Sequence, residues 1–235
     1  MTRRSALVGG SVLGALALAG CSDDASSGGG SGTSASGSGA SGSGGATQAT
    51  PLKHPAGLSY GTWLRPTSHL LDAASTKAVL VEFLDFECEA CGGIFPVIEQ
   101  LREELKGQLT YAIRYFPLNG HRNSVPAAQA AEAAARQGKL EPMYRQLFQN
   151  QSAWTEQQGP VDQQLRGFAQ AAGVDLTQWQ RDRTSQSVTS RVQADLSDAN
   201  ALRLQGTPSF FFNGQPFQPQ SVDDIRNRVR DANKA

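Results

Sequence analysis

This chain of 235 residues has no excess of charge: 21 Lys and Arg balance 21 Asp and Glu, so nothing in the composition draws it toward nucleic acid. Histidine is scarce. His54, His69 and His121 show no paired spacing, and structural zinc asks for four Cys or His ligands, so no metal centre is expected. No motif for a bound cofactor is present. An apolar run long enough to cross a bilayer is missing too, because the stretch from Ala6 to Ala19 is short and broken by Gly and Ser. Cysteine occurs only at positions 21, 88 and 91.

Arg3 and Arg4 before that short apolar stretch, and Leu18-Ala19-Gly20-Cys21 at its close, read as an export signal. The Leu-Ala-Gly-Cys sequence resembles the bacterial lipobox, which implies cleavage before Cys21 and a lipid on its sulfur. An ordinary cleaved signal with a chance cysteine is the alternative, and Arg3-Arg4 leaves a twin-arginine route open. From Ser22 to about Thr50 the chain is nearly all Ser, Gly, Ala and Thr, too poor in apolar surface to offset the cost of ordering. Such a tether has a root-mean-square span on the order of 30 Å. The expected organisation is a signal peptide at 1–20, a lipid-anchored Ser/Gly-rich linker at 21–56 and a folded domain at 57–235.

Val79-Leu80-Val81-Glu82-Phe83-Leu84 is apolar at successive positions rather than alternating, the pattern of a central strand covered on both faces, with Glu82 as its anomaly. Cys88 and Cys91 follow. Ile94, Val97, Ile98, Leu101 and Leu105 then recur at helical spacing up to Gly107, with Pro96 predicting a kink. A C-x-x-C pair at a strand-to-helix junction reads as a redox dithiol. Unpaired N–H groups and the positive end of the helix dipole favour a thiolate on the first sulfur, so Cys88 is the candidate nucleophile.

Leu109 to Phe116 is predicted as the next strand, completing a parallel β-α-β unit. From about Asn123 the pattern turns helical, with Asp175 as a cap for a helix carrying Leu176 and Trp179. Pro208 to Phe212 returns to strand, and Asn213-Gly214 signals a type I′ hairpin into Gln215-Pro216-Phe217. Val222, Ile225 and Val229 mark a last helix. The fold class is α/β, a mixed central sheet with an all-helical insertion at about 122–204.

Four separated features resemble the DsbA-like branch of the thioredoxin superfamily over Leu58 to Ala235. They are the strand followed by Cys88-Glu89-Ala90-Cys91, Glu82 six residues before Cys88, the insertion with Ala171-Ala172-Gly173-Val174-Asp175, and Gly206-Thr207-Pro208 opening the penultimate strand. The resemblance implies a thioredoxin-like fold and a cis peptide bond before Pro208, opposite the cysteines, leaving the Thr207 backbone free to pair with substrate peptide. It also implies that Glu82 handles the proton of Cys91. Burial in an apolar strand should raise the Glu82 pKa, unless the side chain points to a solvated edge.

The activity so implied is disulfide exchange with exported proteins through Cys88 and Cys91, at the extracytoplasmic face of a bacterial cell membrane. A quinone-coupled DsbB or vitamin K epoxide reductase-like protein is the implied re-oxidant. With only a Ser/Gly tether before the redox fold, a monomeric disulfide-forming oxidase is favoured. A reductase or isomerase of the same fold stands as the alternative, and a binding module with a static Cys88-Cys91 disulfide as the reading from another class. Glu89 should raise the Cys88 pKa and weaken the oxidant. His121 is read as a surface or capping residue rather than a catalytic one.

Overall fold

The computed structural model describes residues 54–155, 157 and 159–235; the expected signal, Cys21 and most of the tether lie outside them. The strands are β1 (His69–Ala73), β2 (Val79–Leu84), β3 (Thr110–Tyr115), β4 (Ser209–Phe212) and β5 (Gln215–Phe217). They form one sheet in the order β1-β3-β2-β4-β5. Helix α1 (Glu89–Glu104) carries the chain from β2 to β3, which pair in parallel, whereas the other neighbours pair antiparallel. Between β3 and β4 stand α2 (Ser124–Ala135), α3 (Leu140–Gln149), α4 (Gln151–Trp154), α5 (Asp162–Ala171), α6 (Leu176–Arg183) and α7 (Gln186–Ala201); α8 (Val222–Lys234) follows β5. This is the thioredoxin-like layout with a helical insertion that the sequence implied.

Burial on both sides explains the unbroken apolar run of β2, whose residues are all buried. Side chains alternate across a strand. Val79, Val81 and Phe83 pack with Leu64, Ala112, Phe116 and Phe211 on one side of the sheet. Leu80 and Leu84 join Cys91, Phe95, Ile98, Tyr111 and Tyr144 on the other. Glu82 lies between Leu80 and Leu84 and shares their side. Period two thus aims the one acidic residue of β2 into the core that holds the second cysteine.

Local signals end the elements where expected. Asn213 and Gly214 both adopt positive φ, 48° and 82°, as a type I′ turn needs. Asp175 caps α6 by accepting from the Gln178 N–H at 2.7 Å. Two elements were not anticipated: β1, whose pairing with β3 is interrupted between Leu70 and Asp72, and the single-turn α4.

A buried ion network fastens the insertion to the sheet. Arg114 on β3 is fully buried; its guanidinium bonds Asp195 and, at 2.6 Å, Asp198, both on α7. Arg65 reaches Asp198 from the segment before β1. Removing one partner from such a network leaves an uncompensated charge and costs about 3–5 kcal/mol.

Candidate redox site

Cys88 is the N-cap of α1, in extended conformation at φ −70° and ψ 121°. The first turn of a helix has N–H groups without intrahelical acceptors, and here those of Ala90 and Cys91 turn toward the Cys88 sulfur. A hydrogen bond from the Cys91 side chain is the largest influence on that sulfur. Against the cost of burial, it acts with the Thr207 side chain and the two N–H groups to pull the Cys88 thiol down to about 5. Glu89 is exposed and is not among the principal groups acting there, so the expected upward push from its charge does not govern Cys88.

The Thr207–Pro208 peptide bond is cis. It presents the Thr207 carbonyl to the cysteines, and the Cys88 thiol donates to that oxygen at 3.4 Å. The Thr207 hydroxyl is buried and has no partner in this protonated arrangement. Ionisation of Cys88 turns the sulfur into an acceptor, and the hydroxyl then has one. A groove of about 770 Å³ runs past Thr207 and Pro208 and is walled by Ile94, Leu204, Phe210 and Phe217.

Cys91 has opposite surroundings. It is 1 % exposed, and its hydrogen bond to Cys88, its burial and the nearby Glu82 carboxyl all push its pKa up. Glu82 is buried at 2 %, which excludes the solvated edge. Desolvation raises Glu82 to about 7, against a hydrogen bond from the Tyr111 hydroxyl that favours its carboxylate; the charge of Cys88 raises it further. An acid at that level can exchange protons near neutral pH. Phe86, Phe95, Tyr144 and Phe148 stack around this pocket, with the Phe95 and Phe148 rings 5.2 Å apart.

The sequence reading missed two features. A cleft of about 860 Å³ opens beside Cys88, lined also by Glu87, Glu89, His121 and Arg122. His121, read as a surface or capping residue, stands in it with Nδ1 2.7 Å from the Asp85 carboxylate. Asp85 is buried in the turn after β2 and also accepts from the N–H groups of Glu87 and Leu118 and the Ser124 hydroxyl. Burial pulls the His121 imidazole down; the Asp85 hydrogen bond and charge, with Cys88 and Glu87, more than offset this and set its pKa above the ordinary value.

Gln151 on α4 is the second feature. Its Nε2 donates to the carbonyls of Phe86 at 2.9 Å and Cys88 at 2.8 Å. A Cβ at Gly92 would come within 1.9 Å of Gln151 Oε1, so the glycine makes room for this clamp.

A family model described as thioredoxin matches residues 65–231. Among curated proteins, the Na(+)/H(+) antiporter NhaA 1 of Mycobacterium sp. (strain KMS) is 35 % identical over 170 residues, 68 % of this chain but 26 % of that protein. The chain thus spans about a quarter of the length of the curated relatives it matches. The solved thioredoxin-like oxidoreductase of Silicibacter pomeroyi DSS-3 superposes with a TM-score of 0.59 at 26 % identity, covering 73 % of this chain and 95 % of that one. The oxidoreductase DsbA of Xylella fastidiosa gives 0.57 at 20 % identity over 72 % of this chain and 94 % of its own, a likeness of fold. With a family match spanning sheet, insertion and final helix, the chain belongs to the thioredoxin family and is laid out as in its DsbA-like branch.

Proposed function

We propose that this protein is a thiol:disulfide oxidoreductase that forms disulfides in exported, cysteine-bearing proteins through Cys88 and Cys91. The observation that carries the reading is the split of the pair: Cys88 held near 5 beside the Thr207 carbonyl, Cys91 pushed up beside Glu82. A stabilised Cys88 thiolate favours the dithiol form and makes the disulfide form an oxidant.

In the forward direction a substrate thiolate attacks Cys88 Sγ of the disulfide. The electron pair of the Cys88–Cys91 bond passes to Cys91, which takes a proton from Glu82. A second substrate thiol loses its proton to water and attacks the substrate sulfur, and Cys88 leaves as thiolate. The substrate has lost two electrons and two protons. Both substrate protons pass to water, the first as the attacking thiol ionises, and one returns from water to Glu82; the pair has gained two electrons and one proton, and one proton stays in solvent. The Thr207 backbone and the groove along Pro208 hold the substrate chain as an added strand.

The same reading places the folded domain on a lipidated Cys21 and the 21–56 tether, outside the cell membrane and acting as a monomer, with re-oxidation by a DsbB or vitamin K epoxide reductase-like partner. The lipobox-like Leu18-Ala19-Gly20-Cys21 supports the anchor. The antiporter match covers 68 % of this chain and the family match spans residues 65–231, so the two overlap and, on this view, the shared segment is the thioredoxin domain. Oxidation of a reduced, unfolded substrate tests the proposal. The wild type accelerates it and Cys88→Ser does not; equal rates leave only a static staple. A reductase works through the same sulfurs, and the reduction potential of the pair decides the direction.

A further inference from the structure

We propose that His121, held by Asp85, is a positioning residue for the redox reaction: its imidazolium supports the Cys88 thiolate across the cleft and makes the pair's potential depend on pH through a group outside the C-x-x-C motif. The inference deepens the proposed exchange chemistry and rests on it.

The geometry is that of a buried carboxylate holding an imidazole in the cleft that the Cys88 residue also lines. Asp85 side-chain oxygens are fully enclosed, whereas 34 % of the His121 side chain is exposed, within the cleft that Cys88 also lines. Asp85 takes the Nδ1 side of the ring, so Nε2 is not used by that contact. An imidazole with a carboxylate behind it favours its protonated state, as in any carboxylate–histidine pair. The dipeptide Glu89-Ala90 between the cysteines supplies no cation, so the positive charge beside Cys88 comes from another segment.

Charged groups face His121 from each neighbouring element. Asp85 and Glu87 come from the turn between β2 and α1, Cys88 and Glu89 from the start of α1, and Arg122 from its own loop. Glu87 is already engaged by the Asn123 N–H at 2.6 Å and the Asn123 amide at 3.0 Å. Reduction converts Cys88 from a neutral disulfide sulfur into a thiolate. It is therefore the one group in this set whose charge changes with redox state.

Coupling between two titrations is reciprocal. If His121 stabilises the thiolate, the thiolate raises His121, and the imidazole titrates higher in the dithiol form than in the disulfide form. Between those two values, reduction by a substrate dithiol delivers two electrons, Cys91 takes one proton and His121 takes a further fraction of one. The potential then falls more steeply with pH in that window than one proton per two electrons requires.

The test begins with the wild-type protein, where folding is not in question. Imidazole NMR titration of His121 in the disulfide and dithiol forms is expected to give a clearly higher midpoint in the dithiol form. Coincident midpoints overturn the proposal. In His121→Gln, alkylation of Cys88 by iodoacetamide near pH 4.5, below its midpoint, is expected to slow several-fold and its profile to move to higher pH, with the thermal transition little changed. An unshifted profile in a folded variant also overturns it. Either failure leaves substrate oxidation by the wild type intact, whereas failure of the exchange reading removes that activity and leaves the His121 titration readable.

Discussion

The mouth of the cleft at Cys88 and the pocket behind Cys91 lie one helical turn apart and treat the same thiol in opposite ways. At the mouth, the sulfur meets the N–H groups of Ala90 and Cys91, the Cys91 thiol and the Thr207 hydroxyl, each favouring negative charge. In the pocket, Cys91 meets aromatic rings and an acid, each opposing it. Only the first cysteine stands at the orphan end of the helix: the Cys91 N–H still turns to Cys88, and from Gly92 onward the N–H groups meet preceding carbonyls. The difference makes Cys88 the sulfur that leaves and is attacked, and Cys91 the one that must be relieved of a proton. Much of what builds it comes from segments far away in the chain.

Exchanging the two sulfurs' fates gives the largest test of that contrast. Cys88→Ser is expected to reduce substrate oxidation to background. Cys91→Ser should leave Cys88 reactive and trap a mixed disulfide on a non-reducing gel. In Cys91→Ala, which keeps no donor there, the alkylation profile of Cys88 should move to higher pH, since the Cys91 hydrogen bond is the largest influence on the Cys88 sulfur. Equal trapping by the two serine variants would erase the asymmetry.

Glu82→Gln comes next. An acid raised by folding holds a proton that the unfolded chain has already lost, so its cost to stability appears as pH rises from the ordinary value and is complete above the folded one. For Glu82 that window runs from 4.5 to about 7, and the gap corresponds to about 3 kcal/mol. The variant should therefore unfold at higher temperature than the wild type at pH 8 and at nearly the same temperature at pH 4. Substrate oxidation should slow, because Cys91 loses its proton partner. A variant no more stable at pH 8 than at pH 4, relative to wild type, would place Glu82 in wetter surroundings than its burial indicates.

What the sequence revealed of this site follows from range. The apolar run of β2, the C-x-x-C at its end and Asn213-Gly214 each carry their signal within a few residues, whereas the cis bond before Pro208 and the place of Glu82 beside Cys91 are legible only through the family resemblance. The partners that finish the site carry no such local signal. Tyr111 lies on the neighbouring strand from Glu82, and their register decides the contact. His121 sits in a loop without period, and only packing brings it to Asp85, 36 residues earlier. Gln151 reaches Phe86 and Cys88 across 65 and 63 residues from a helix of four. β1 escaped for a local reason, the interruption of its register between Leu70 and Asp72.

The Gln151 clamp offers a smaller test, on the side of the mouth contributed by the insertion. Gln151→Ala removes two hydrogen bonds to loop carbonyls and should cost about 1–2 kcal/mol in thermal or urea unfolding. Gly92→Ala puts a methyl where Gln151 Oε1 lies, expelling the same side chain while gaining up to about 1 kcal/mol of helix preference. In the Gly92→Ala background, Gln151→Ala should therefore cost almost nothing. Additive effects of the two substitutions would show that the glycine and the glutamine do not share this space.

The smallest expected effect is at Glu89, which follows Cys88 directly in the chain. Its carboxylate is exposed, so water and salt screen it. Two unit charges 4 Å apart in bulk water interact by only about 1 kcal/mol, which bounds the shift at under about one pKa unit. Removing a negative charge can only lower a neighbouring thiol, so Glu89→Gln should move the alkylation profile of Cys88 slightly toward lower pH. That displacement should be smaller than the opposite one produced by Cys91→Ala. A larger one would mean that the residues between the cysteines, rather than the partners folded over them, set the character of the mouth.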